Sequence, residues 1–166
     1  VPYGMYFIGK SLRAMNMSDS AIQTFRDGMQ AYPDDNYAGK MALEIGNCYF
    51  DSGDYNLAYH AFDNFVKQYP MSELMVEGMI GMADALYHDK KYEESIKSYL
   101  ELLKTNDEEK VRQYAFKRIG DCYKFMGKLE QAVKAYLVSL DKEDAATVAM
   151  LHADTSLDET ALPKKF

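Results

Sequence analysis

Apolar residues recur along this chain at helical spacing, in short bursts separated by polar turns. The pattern is fullest between positions 39 and 70. Ala42, Ile45, Gly46 and Tyr49 share one helical face, and Ser52-Gly53-Asp54 interrupts it. Ala58, Phe62, Phe65, Val66 and Tyr69 then mark the buried side of a second helix. Pro70 ends it, because proline cannot continue a helix interior. Gly53 suits the left-handed conformation that closes a helix, and Asp54 is placed to cap the next one. The pattern predicts a helix, a tight turn and a second helix.

The same unit returns at a constant step of 37 residues. Gly9, Gly46, Ala83 and Gly120 share one register; Ala21, Ala58, Ser95 and Ala132 share a second. Phe25, Phe62, Tyr99 and Tyr136 share a third. A fixed period of this size marks a stacked repeat architecture, and such stacks mostly present surfaces. The small residues allow two antiparallel helices to approach closely, and the aromatic fills the space beside them. A bulky residue at a small position is expected to cost about 1–3 kcal/mol. Truncating Phe62 to Ala is expected to cost about 3–5 kcal/mol. Turns are expected at Asn16, Gly53, the segment His88-Asp89-Lys90-Lys91 (a weaker stop, lacking glycine) and Gly127. Ser18 or Asp19 is expected to cap the second helix of the first repeat. The repeats are placed at about 2–33, 39–70, 74–107 and 111–143. A short capping helix follows at 144–153, with Val148 and Leu151 toward the last repeat, and an extended or disordered tail at 154–166.

The stretch 46–58, GNCYFDSGDYNLA, followed by Phe62 and Pro70, resembles a tetratricopeptide repeat. The stretch 120–132, GDCYKFMGKLEQA, with Tyr136, is similar to it. Asp107 and Asp144 stand in place of the closing proline. The resemblance implies an all-α fold, a right-handed superhelical α-solenoid of antiparallel helix pairs. The step exceeds the family's usual 34 residues, and the excess falls at connectors such as Tyr32-Pro33-Asp34-Asp35-Asn36, where it can lengthen the following helix. The longer step is similar to that of bacterial envelope members.

The resemblance also implies a concave groove, lined by the first helices, that takes a peptide or helix of a partner protein. The residues on those helices that face away from the core are the candidates. They are Tyr6, Lys10 and Arg13; Lys40, Asn47 and Phe50; Asp84, Tyr87 and His88; and Lys117, Asp121 and Lys124. Tyr3, Leu43, Glu77, Ile80, Tyr114 and Phe125 are placed on the same face. Aromatics mixed with Arg are typical of binding hot spots. Asn47 matches the Asn of the family's two-carboxylate clamp for chaperone tails, but Leu43 stands where its Lys is needed and Glu44 adds negative charge. A chaperone tail is therefore not the expected ligand. The competing expectation is a structural segment that self-associates through its terminal faces, giving a homo-oligomer.

Composition narrows this further. Hydrophobic residues are 48% and charged residues 27%, which suits a folded domain. The net charge of −7 argues against nucleic acid and against a polybasic membrane contact. No apolar run reaches the roughly 20 residues of a spanning helix, so direct membrane insertion is not expected. The chain opens on Val1-Pro2 rather than Met, as expected of a fragment or processed form, and both bacterial periplasm and cytoplasm stay open. Cys48 and Cys122 share a register two repeats apart, a span of roughly 20 Å by helix spacing, so no disulfide is expected. His60, His88 and His152 are scattered. Neither a metal site nor a phosphate loop is legible, and no enzyme activity or cofactor is expected.

Overall fold

The computed structural model describes residues 1–140. The expected capping helix at 144–153 and the tail at 154–166 lie outside the described residues. Eight helices are described: α1 (Pro2–Ala14), α2 (Ser18–Ala31), α3 (Asn36–Asp51), α4 (Tyr55–Gln68), α5 (Met75–His88), α6 (Tyr92–Thr105), α7 (Glu109–Phe125) and α8 (Leu129–Leu140). No strand occurs among the described residues. They fall into two compact units, Val1–Lys90 and a second that begins at Lys91. The boundary lies in the turn between α5 and α6.

In the first unit the helix pairs close on glycine. A Cβ at Gly46 would sit 2.5 Å from the Phe62 ring, and one at Gly9 would meet the Phe25 ring. Phe62 serves two neighbours, because a Cβ at Gly81 would stand 2.7 Å from the same ring. Phe25, Phe62 and Phe65 are buried among Ala21, Ile22, Met41, Leu43, Ala58 and Ala85. Each such ring contributes about 1.5–3 kcal/mol of burial. The second unit repeats the device with Gly120 against Tyr136, also at 2.5 Å. Ser95 and Tyr99 are fully buried there.

The turns share a left-handed residue at one register. Asn16, Gly53, Lys90 and Gly127 have φ of 59°, 79°, 62° and 75°. Backbone bonds complete them: Gly53 N–H donates to Phe50 O at 3.0 Å and Asp54 N–H to Tyr49 O at 2.9 Å. This paired pattern is a Schellman closure. It repeats from Asn16 and Met17 to Arg13 and Leu12, and from Gly127 and Lys128 to Lys124 and Tyr123. Lys90 stops α5 at the expected place without glycine.

The caps differ from expectation. Met17, not Ser18 or Asp19, occupies the N-cap of α2, and Ser18 is its first residue. Asp54 stands at the N-cap of α4 but makes no side-chain capping bond. The physical reason is the Schellman turn, which directs the cap residue's backbone N–H to the preceding helix and sets its conformation. Side-chain capping appears instead at the entry to α3, where Asp35 Oδ1 accepts from Tyr37 N–H at 2.9 Å. Ser72 Oγ accepts from Leu74 N–H at 3.1 Å within the turn before α5, whose N-cap Leu74 makes no side-chain bond. Asp35 lets α3 begin at Asn36, and α3 and α7 reach 16 and 17 residues. The longer connectors thus extend α3 and α7. They do not extend α5, which has 14 residues and starts after the Ser72-Glu73-Leu74 turn.

Candidate protein-binding surface

In the first unit, α1, α3 and α5 carry a continuous set of polar and aromatic side chains. At its centre is Glu44, a buried carboxylate. Arg13 Nη1 donates to Glu44 Oε2 at 2.6 Å, and Arg13 Nε donates to Asp51 Oδ2 at 2.6 Å. Lys10 Nζ stands 3.6 Å from Glu44 Oε1, and Asn47 Nδ2 donates to Glu44 Oε2 at 3.4 Å. Partial burial pulls the Arg13 pKa down, but the bond to Asp51 and the field of Glu44 outweigh it, so the guanidinium is held above its ordinary value. The network straps α1 to α3.

Two aromatic groups flank this strap. On one side Tyr3, Tyr6, Phe7 and Tyr37 pack edge-on or tilted, with centroids 4.6–5.6 Å apart. Lys10 lies over the Tyr6 ring at 5.4 Å and Lys40 over the Tyr37 ring at 5.2 Å. Tyr3 and Phe7 remain 56% and 45% exposed, so the ledge is open to solvent. On the other side His88 stacks on Tyr55 at 5.1 Å and meets Phe50 edge-on at 5.2 Å. Tyr87 touches His88 at 5.2 Å. An open cleft of about 690 Å³ also lies between the two connectors, lined by Pro33, Lys40, Tyr69, Met71 and Glu73 among others.

In the second unit α7 presents Tyr114, Lys117, Arg118, Asp121, Lys124 and Phe125. Tyr136 Oη donates to Asp121 Oδ1 at 2.8 Å, and Arg118 Nε to Tyr114 Oη at 3.1 Å. Phe125 stacks on Tyr92 at 5.6 Å, one repeat on from the His88–Tyr55 stack. Lys117 and Lys124 are exposed.

A family model of the tetratricopeptide repeat-like domain matches residues 9–158. The chain belongs to the tetratricopeptide repeat-like family. Among solved structures, MamA from Desulfovibrio magneticus RS-1 is similar at a TM-score of 0.67 and 15% identity, over 95% of this chain and 78% of that one. A kinesin light chain candidate from Podosopora anserina, with nearly identical TPR-like repeats, gives 0.66 at 12% identity, over 95% and 77%. A further MamA crystal structure gives 0.64 at 20%, over 89% and 84%. At these identities the likeness is one of fold. No curated protein matches the sequence.

On this tetratricopeptide-like scaffold the expected residues separate into groups. Lys10, Arg13 and Asn47 converge on Glu44, so they strap two helices together. Tyr6 and Lys40 join the first aromatic ledge; Phe50, Tyr87 and His88 join the second. Asp84, expected on the open face, is buried in α5, because that side of the helix packs inward. Leu43 is buried at 3% and belongs to the core with Phe62. Glu44, Asp51, Phe7, Tyr37 and Tyr55 were not foreseen. The Arg13–Asp51 separation of 38 residues, one more than the repeat step, is the signal by which the strap could have been found in the sequence.

Cys48 and Cys122 are both buried, and neither is in a disulfide among the described residues. Burial pushes the Cys48 thiol up to about 11, against the lowering field of Arg13. Among the described residues no group of three or more His, Cys, Asp or Glu could hold a metal ion. Among them too, no helix is long and apolar enough to cross a membrane.

Proposed function

We propose that this chain is a protein-interaction scaffold that holds a peptide or helix of a partner protein against the first helices of its repeats. The observation that carries the reading is the open ledge of Tyr3, Tyr6, Phe7 and Tyr37 beneath the ammonium groups of Lys10 and Lys40. Rigid rings give contact area at low entropic cost, and cations above them add attraction for carboxylates. The test is affinity capture from the native source with the intact chain, beside a Tyr3→Ala, Lys10→Glu, Lys40→Glu variant. Partners retained by wild type should be lost by the variant while its circular dichroism is unchanged. Equal capture by both would count against the ledge.

Self-association is the second reading, and α8 favours it. Leu129, Val133, Leu137 and Leu140 are all more than half exposed along one side of that helix. Contiguous apolar surface of this kind marks association. Light scattering over a wide concentration range decides: a monomer throughout removes this reading, and a dimer that Leu137→Glu dissolves supports it.

A further inference from the structure

A second cleft, of about 360 Å³, opens in the Val1–Lys90 unit between α2 and α4, with α3 beneath it. Met29, Ile45 and Phe65 form an apolar floor, and Leu57, 48% exposed, forms a lip. None of the ledge residues Tyr3, Tyr6, Lys10 or Lys40 contributes to it. Arg26 is the only Arg, Lys, Asp or Glu in its lining. It donates one bond, from Nη2 to Tyr49 Oη at 3.0 Å, and has no carboxylate partner among the described residues.

In this unit that sets the two arginines apart. Acidic residues outnumber basic ones 26 to 19, and the unit's other arginine, Arg13, is held by two carboxylates. A guanidinium carries five donors in a planar fork that matches a carboxylate, and it is weakly hydrated, so it pairs readily beside apolar surface. The cleft is near the small end of the range of about 300–1,000 Å³ for ligand sites. It has room for a side chain or two of a partner, not for a domain face.

We propose that this cleft is a second docking site. Its occupant is a short segment of a partner protein with a bulky apolar side chain next to Asp or Glu. The apolar group fills the floor over Met29, Ile45 and Phe65, and the carboxylate pairs with Arg26. The site is independent of the first-helix ledge, so a chain using both holds two segments at once.

Random-peptide display against the intact chain, followed by fluorescence anisotropy of the enriched peptides, tests this. Enriched peptides should carry an apolar residue adjacent to Asp or Glu. Their affinity should fall at least about tenfold in Arg26→Gln, Leu57→Ser, or when the peptide's acid becomes its amide, as for a lost charge-assisted pair. Arg26→Lys should recover part of it, and Lys10→Glu with Lys40→Glu should leave it unchanged. The proposal is overturned if no peptide is enriched, if basic peptides are enriched, or if binding survives Arg26→Gln. Loss in the Lys10/Lys40 variant alone would place the peptide on the ledge and also overturn it.

Discussion

Gly46 is held at its position by the ring of Phe62, which leaves no room for a methyl group at 2.5 Å. Gly46→Ala is expected to lower stability by about 1–3 kcal/mol, read as a shift of the urea midpoint. This contact was legible in the sequence, because a small residue and an aromatic at one fixed separation is a steric message that needs no long-range geometry. The burial of Asp84 was not legible, since side-chain polarity pointed outward while the helix face turned inward. Cys48 gives a chemical prediction. The unfolded chain releases the thiol proton near the ordinary 9.0, and the folded chain holds it to about 11. The folded state therefore binds more protons between those values, and stability contributed by Cys48 is lost as pH rises through that window. At neutral pH the thiol is protonated, so iodoacetamide should label Cys48 slowly in the native protein and rapidly in denaturant, as followed by mass spectrometry.

Helices α1 and α3 are joined by charge as well as by packing. Arg13→Ala would leave buried Glu44 with only its longer contacts to Lys10 and Asn47, at a cost of about 1–3 kcal/mol. Arg13→Met combined with Glu44→Leu should recover most of that loss, because no uncompensated charge then remains inside. Thermal melts of the two variants check both expectations. The strap escaped the sequence reading because it links successive repeats, and its partners meet only once the helices are stacked. At the end of α5, Lys90 takes a left-handed φ of 62° without being glycine. Lys90→Gly should raise stability by about 1 kcal/mol in denaturant titration, by removing the Cβ strain of that conformation. The turns themselves were readable from Gly53 and Gly127. Their helix entries were misread at Ser18 and Asp54, where backbone bonds take over from side-chain caps.

At the scale of the molecule, the repeat step and the family match agree along nearly the whole sequence. The division at Lys90 and Lys91 was not legible, since that turn has the same register and backbone as the others. Stability in a stacked repeat is close to a sum of local terms and nearest-neighbour contacts. Gly46→Ala and Gly120→Ala lie in different units, so their effects should add within about 0.5 kcal/mol in a double variant. A larger deviation in urea unfolding would show the two glycine–aromatic contacts to be energetically linked. Function is where the sequence was least informative. It could assign a face to Tyr6 and Lys40, but the ring geometry that makes a ledge of them depends on packing between α1 and α3.

The turns built from backbone bonds have a practical use. Asp54 is exposed and its side chain closes nothing, so the residue is free for chemistry. An Asp54→Cys protein would offer a thiol-directed dye one accessible sulfur beside the buried Cys48 and Cys122. A reporter attached there would sit at a tight bend of the first unit, where it can register a partner's arrival without occupying either surface proposed to receive one.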